Sequence, residues 1–160
     1  MESLRLPGKP LKLIGNKTLI QRVSEQALKS KAKEVLVATD SQEIISHCSV
    51  NNIKSVLTKS DHSTGSDRLA EAAENLNLDD DQIIINVQGD EPFIDPDDIN
   101  NLHSLMEKTS SNMATLYSKL TTKDIQNTNV VKLWVNVDGS VSNFARKISH
   151  MKNAAQAKMH

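Results

Sequence analysis

The apolar run Ile83-Ile84-Ile85-Asn86-Val87 stops at Gln88-Gly89-Asp90-Glu91-Pro92, and no other feature constrains the fold as much. Apolar runs of strand length belong to strands covered on both faces, the habit of parallel sheets flanked by helices. Open α/β sheets bind their ligands just beyond the carboxyl ends of such strands. An Asp-Glu pair there, fixed between Gly89 and Pro92, offers hard oxygen ligands suited to Mg2+ carried by a phosphate substrate.

The rest of the chain alternates in the same sense. Residues 3–17 form a loop punctuated by Pro7, Gly8, Pro10 and Gly15. A helix is predicted from Thr18, as cap, to about Ser30, with Ile20, Val23, Ala27 and Leu28 on its apolar face. Residues 34–40 read as a buried strand ending in Asp40. Ser41 then caps a helix to about Ser49, with Ile44, Ile45 and Cys48 inward. Residues 53–57 form a short strand and 59–67 a polar loop. A further helix to about Asn77 places Leu69, Ala72, Ala73 and Leu76 on one face.

After the 82–87 strand, Pro96 opens another helix, where Asp97 and Asp98 complement the dipole and Ile99, Leu102, Leu105 and Met106 face inward. Residues 113–118 read as a strand. Residues 130–137 and 141–144 read as a hairpin around Asp138-Gly139. Repeated alternation of strand and helix predicts a three-layer α/β/α sandwich with a parallel core. Its domain covers residues 1–146, and 147–160 form a disordered tail.

Composition excludes several functions. With 160 residues, 38% of them hydrophobic and 24% charged, the chain is a globular domain able to bury a core. Only Phe93, Tyr117, Trp134 and Phe144 are aromatic, too few for a base-stacking nucleic-acid surface. A net charge of -1 gives no reason to expect nucleic acid or membrane as partner. Cys48 stands alone, so no internal disulfide forms, and its helical setting marks a packing residue. With no apolar segment of membrane-span or signal length, the chain is expected to be cytoplasmic.

Charge is segregated along the chain. Arg5, Lys9, Lys12 and Lys17 lie in a segment with no acid after Glu2, whereas Asp79, Asp80, Asp81, Asp90, Glu91, Asp95, Asp97 and Asp98 crowd a later one. A basic loop facing an acidic strand end would suit a nucleoside triphosphate bound with Mg2+; two unrelated solvated faces explain the charges equally well.

Two clusters could carry chemistry beside the acidic one. Arg5 to Pro10 sets two cations around a Pro-Gly turn, where Gly8 lets backbone amides approach a phosphate and Lys9 supplies a mobile charge. Ordinary loop chemistry explains the same residues, and neither a P-loop nor a GxGxxG pattern is present. The second cluster is Asp61-His62-Ser63-Thr64-Gly65-Ser66-Asp67-Arg68. Its small hydroxyl residues around Gly65 expose backbone groups able to read a base edge. The plainer account is a helix start with Ser66 as cap, Asp67 on the dipole and Arg68 solvated. His62 has no second His or Cys at ligand spacing, which argues against zinc.

Taken in order, Arg5-Leu6-Pro7-Gly8-Lys9-Pro10-Leu11, Val37-Ala38-Thr39-Asp40, Asp61-His62 with Gly65-Ser66-Asp67-Arg68-Leu69-Ala70-Glu71, and Asn86-Val87-Gln88-Gly89-Asp90-Glu91-Pro92 resemble the 3-deoxy-manno-octulosonate (KDO) cytidylyltransferase family. The likeness covers about the first 145 residues and continues through Met113-Ala114-Thr115-Leu116 and Val131-Lys132. It implies a Rossmann-like nucleotide-diphospho-sugar transferase fold. It also implies an enzyme that joins CTP and KDO into CMP-KDO, with release of pyrophosphate, for lipopolysaccharide assembly. By position, Arg5 and Lys9 would meet the CTP phosphates, Ser63, Gly65 and Ser66 would lie near the cytosine, and Gly8 and Arg68 would also bind substrate. Gln88 would orient nucleotide or sugar, Asp90 would ligate Mg2+, and Lys9 and Asp90 would be catalytic. A sialic-acid type of cytidylyltransferase, or a non-catalytic nucleotide-binding fragment, remains open.

The resemblance also marks departures. The family opens with a buried strand running into a Pro-Ala-Arg segment, whereas this sequence begins Met1-Glu2-Ser3. Past Phe144-Ala145-Arg146 the family continues through sugar-contacting residues, a second acidic metal ligand and much of a homodimer interface. The expectation is a fold incomplete at both ends, which keeps the nucleotide half, lacks the KDO half and most of the dimer surface, and binds Mg2+ weakly.

Overall fold

The computed structural model describes residues 8–147 and the backbone of 157–159. The chain divides into two compact units, Met1–Ser110 and Ser111–His160.

In the first unit a short 3-10 helix, Lys9–Leu11, follows Gly8, whose φ of 66° is left-handed and suits glycine. A minimal hairpin of β1 (Leu13–Ile14) and β2 (Lys17–Thr18) leads straight into α1 (Leu19–Ala27). Thr18 caps α1 as expected. Its hydroxyl accepts from Gln21 N at 3.3 Å, while its own N–H donates to Gln21 Oε1 at 2.8 Å, a reciprocal capping box. Leu19, Ile20, Val23, Ser24 and Ala27 form the buried face. Leu28 was expected on that face, but it sits at the C-cap and is 62% exposed.

Strand β3 (Val37–Thr39), helix α2 (Gln42–Val50) and strand β4 (Ser55–Leu57) form a βαβ unit. The strands are parallel, pairing Val37 with Ser55, Ala38 with Val56 and Thr39 with Leu57, and the helix supplies the crossover that parallel strands require. Ser41 caps α2, as its position before the apolar residues predicts. Ile44 and Ile45 are only half-buried. Cys48 is fully buried, and that burial pushes its thiol above the ordinary range against a weaker opposing hydrogen bond from Ser55. This is the packing role expected of it.

Helix α3 (Gly65–Asn75) is capped by Thr64, not by the expected Ser66, which lies in the first turn. The reason is reciprocal bonding: Thr64 Oγ1 accepts from Asp67 N at 3.1 Å and Asp67 Oδ2 from Thr64 N at 2.9 Å. Helix α4 (Pro96–Lys108) has Pro96 in its first turn, as expected, and Asp95 before it as cap. It buries Ile99 and leaves Leu105 48% exposed.

The 82–87 segment differs from expectation. It is not assigned as a strand, and it is not covered on both faces. Ile83, Ile85 and Val87 are half-buried, while Ile84 is 45% exposed and Asn86 is exposed. Burial thus alternates with the period of an extended chain. No strand among the described residues pairs with it, and a strand is defined by its ladder rather than by its side chains.

In the second unit, residues 113–118 make only an isolated bridge at Ser118, for the same want of a ladder. A short helix, α5 (Thr122–Ile125), precedes the expected hairpin, β5 (Lys132–Val135) and β6 (Val141–Ala145). Gly139, with φ of 86°, and Asp138, accepting from Ser140 N at 2.9 Å, shape its turn. Strand β7 (Ala157–Met159) pairs antiparallel with the other edge of β5. The rest of the expected tail, 148–156 and 160, lies outside the described residues. Leu133 and Trp134 are buried on β5. Lys132 is buried too, its ammonium donating to the carbonyls of Asn127 and Arg146.

Candidate functional site

Both the basic loop and the acidic turn belong to the first unit, and the fold brings them together. Lys9, in the turn that Gly8 opens, donates through Nζ to Asp90 Oδ2 at 2.5 Å, across 81 residues of sequence. Asp90 is carried by a turn in which Glu91 N donates to Gln88 O at 3.1 Å. Gly89 places this turn against α1: a Cβ added there would stand 3.8 Å from Ile20 Cδ1. The Lys9 and Asp90 side chains keep 37% and 50% exposure, so both remain open to a ligand. Gln88 is exposed beside them. Arg5 lies outside the described residues.

The hydroxyl-rich loop approaches the same segment from α3. A Cβ on Gly65 would stand 3.9 Å from Asn86 Nδ2, in the run that ends at Gln88 and Asp90. Ser63, Gly65 and Ser66 are exposed there. Arg68 is not solvated as the helix-start account holds. Its guanidinium donates to Asp40 Oδ2 at 2.9 Å, to Thr58 Oγ1 at 2.5 Å and to Lys59 O at 3.2 Å. It therefore ties the carboxyl ends of β3 and β4 to α3. Burial opposes ionisation of Asp40, but the Arg68 hydrogen bond and charge outweigh it and hold the carboxyl below its ordinary range.

One helical turn beyond Arg68, Glu71 accepts from Lys59 N at 2.9 Å and pairs with His62 Nε2. The His62 hydrogen bond first, and the Lys59 N–H second, lower the Glu71 carboxyl below the usual range. His62 is thus engaged by a carboxylate.

Sequence reasoning singled out neither Asp40, Thr58 nor Glu71 as a partner in this cluster. Only the i,i+3 spacing of Arg68 and Glu71, which sets both on one face of α3, was there to suggest it. The Thr64-x-x-Asp67 spacing likewise carried the capping signal.

Among the described residues, no group of three or more His, Cys, Asp or Glu side chains could hold a metal ion by itself. Mg2+ commonly takes one or two carboxylates and completes its shell with water and substrate phosphates. The half-exposed Asp90 carboxylate fits a cation that arrives on a triphosphate. No helix among the described residues is long and apolar enough to cross a membrane.

A family model described as "Cytidylyltransferase" matches residues 1–160. A 3-deoxy-manno-octulosonate cytidylyltransferase of Pseudomonas fluorescens is 47% identical over 148 residues, covering 90% of this chain and 58% of that protein. The enzyme of the same name from Verminephrobacter eiseniae is 40% identical over 159 residues, covering 98% and 58%. A solved structure of CMP:2-keto-3-deoxy-manno-octonic acid synthetase complexed with CTP superposes with a TM-score of 0.83 at 35% identity. It covers 98% of this chain and 65% of that one. The present chain therefore spans 58% of the length of the curated relatives it matches.

Proposed function

The chain belongs to the cytidylyltransferase family, and from that premise we propose that it supplies the CTP-binding part of an enzyme that transfers CMP to 3-deoxy-manno-octulosonate. The observation that carries this reading is the Lys9–Asp90 contact at 2.5 Å, a cation and an anion both open to solvent where a nucleotide would enter. The cytidylyltransferase relatives that act on 3-deoxy-manno-octulosonate, and the related synthetase solved with CTP, support CTP and the sugar acid as substrates.

In the reaction proposed, the anomeric hydroxyl attacks the α-phosphorus in line and pyrophosphate departs. The protein needs to do little covalent work. Positioning and charge neutralisation carry the rate. Lys9 would turn from Asp90 to the phosphates, balancing the negative charge that builds on them. Arg5 and the backbone at Gly8 would hold the same phosphates. Asp90 would hold the Mg2+ that comes with CTP, and that ion, when bound, supplies further neutralisation at the phosphates. Ser63, Gly65 and Ser66 would face the base, and Gln88 would orient nucleotide or sugar.

Calorimetric titration of the intact protein with CTP and Mg2+, followed by a pyrophosphate-release assay on adding the sugar acid, tests the reading. CTP binding in preference to other nucleotides, with release only when both substrates are present, is the expected result. Absence of CTP binding rejects it. Binding without turnover would reduce the role to nucleotide capture.

A further inference from the structure

The loop 59–64 between β4 and α3 is polar and largely exposed, the kind of segment usually left mobile. Here its start is held from both sides. The N–H of Lys59 donates to Glu71 and its C=O accepts from Arg68, so both backbone polar groups of one residue are fixed by side chains of α3. The middle is held by His62, paired with Glu71 at 15% and 16% side-chain exposure. The end is held by the Thr64–Asp67 capping box. Ser60, Asp61 and Ser63 are left exposed, next to the helix start that meets Asn86.

We propose that Glu71, with Arg68 beside it, is a positioning residue that presets this loop to read the base of the nucleotide. This rests on the cytidylyltransferase reading above, but Glu71 has no part in that reading's chemistry. One oxygen of its carboxylate, Oε2, meets both Lys59 N–H and His62 Nε2, and it acts on substrate only through the loop. A loop ordered before binding loses less conformational entropy when the base arrives, and its backbone groups already stand where a hydrogen-bonding edge needs them. The clamp should therefore set discrimination between bases and leave triphosphate recognition, which belongs to Lys9, untouched. Arg68 itself is a tether rather than a ligand, since its guanidinium is already directed to Asp40, Thr58 and Lys59.

The test is calorimetric titration of the intact protein with CTP, UTP and inorganic tripolyphosphate, in wild type, Glu71→Ala and Glu71→Gln. In Glu71→Ala, CTP affinity should fall about tenfold, the CTP-over-UTP ratio should shrink, and tripolyphosphate affinity should hold. Glu71→Gln keeps an oxygen that accepts from Lys59 N–H and should recover most of the loss. An unchanged CTP-over-UTP ratio, or a parallel loss of CTP and tripolyphosphate, overturns the proposal. If Glu71→Ala shows no cooperative melt, His62→Ala, which frees only the middle of the loop, is judged by the same ratio. Wild type that binds CTP no better than tripolyphosphate would overturn the function itself, a result distinct from a clamp that fails in a protein that does select CTP.

Discussion

Lys9 and Asp90 meet at 2.5 Å although 81 residues separate them. Neither side chain is buried, so the contact contributes little to stability: exposed ion pairs are worth about 0–1 kcal/mol. Its importance in the proposed function lies in where it stands: both side chains are partly exposed, so a phosphate could replace Asp90 at Lys9 and a cation could replace Lys9 at Asp90.

Lys9→Ala is therefore expected to leave the thermal midpoint nearly unchanged while lowering kcat by about 10²–10³, the usual cost of removing one preorganised charge stabiliser. KM for CTP should rise by less. Steady-state pyrophosphate release, read beside a melt, checks both halves. An unaltered kcat would remove Lys9 from the chemistry.

Asp90→Asn should weaken divalent-cation binding in the presence of CTP and raise the Mg2+ concentration needed for half-maximal rate. Mn2+ titration followed by electron paramagnetic resonance reads the first effect independently of turnover. Equal Mn2+ affinity in wild type and variant would show that another group holds the cation.

Arg68→Ala removes a side chain that is 13% exposed and whose guanidinium is bonded to Asp40, Thr58 and Lys59. Breaking a partly buried, hydrogen-bonded pair should cost about 1–3 kcal/mol, less than for a fully buried one because Asp40 retains 29% exposure. Denaturant unfolding gives the value directly, and a loss below experimental scatter would contradict the tether.

Asp40 also gives stability a pH dependence of definite sign. Its carboxyl titrates lower in the folded chain than in the unfolded one, so the unfolded state takes up the proton first on acidification. The stabilisation is complete above the ordinary carboxylate pKa of about 4 and is lost as pH falls through the lower, folded value. Asp40→Asn should remove this part of the acid-side slope in melts recorded across that range. An unchanged slope would assign the acid sensitivity elsewhere.

Thr18→Ala should cost about 1–2 kcal/mol, at the high end for a helix cap. Thr18 is buried, completes the capping box with Gln21 and also meets His47 Nε2 at 2.9 Å. Chemical denaturation of the variant tests the figure.

What could be read from the sequence is what local chemistry dictates. Thr18 with Gln21, Ser41, Asp95-Pro96 and Asp138-Gly139 act within a few residues of themselves, and each forms the cap or turn its residue types favour. The βαβ unit follows from the order of its apolar runs, and the motifs between Arg5 and Pro92 by themselves carry the family resemblance. Less legible was whether an apolar run becomes a strand. Residues 82–87 and 113–118 have the composition, but a ladder needs a neighbour, and the neighbour is not encoded in the run itself.

The sequence by itself determined where helices begin, where the parallel pair forms and which residue types gather at its carboxyl end, because capping, periodicity and turn chemistry are short-range. Tertiary structure alone decided that Lys9 faces Asp90, that Arg68 is directed to Asp40, and that Glu71 holds Lys59 and His62. Charge attraction has no preferred sequence separation, so many acids could have answered each cation; the packing of helices on strands selects one by bringing it within hydrogen-bonding distance.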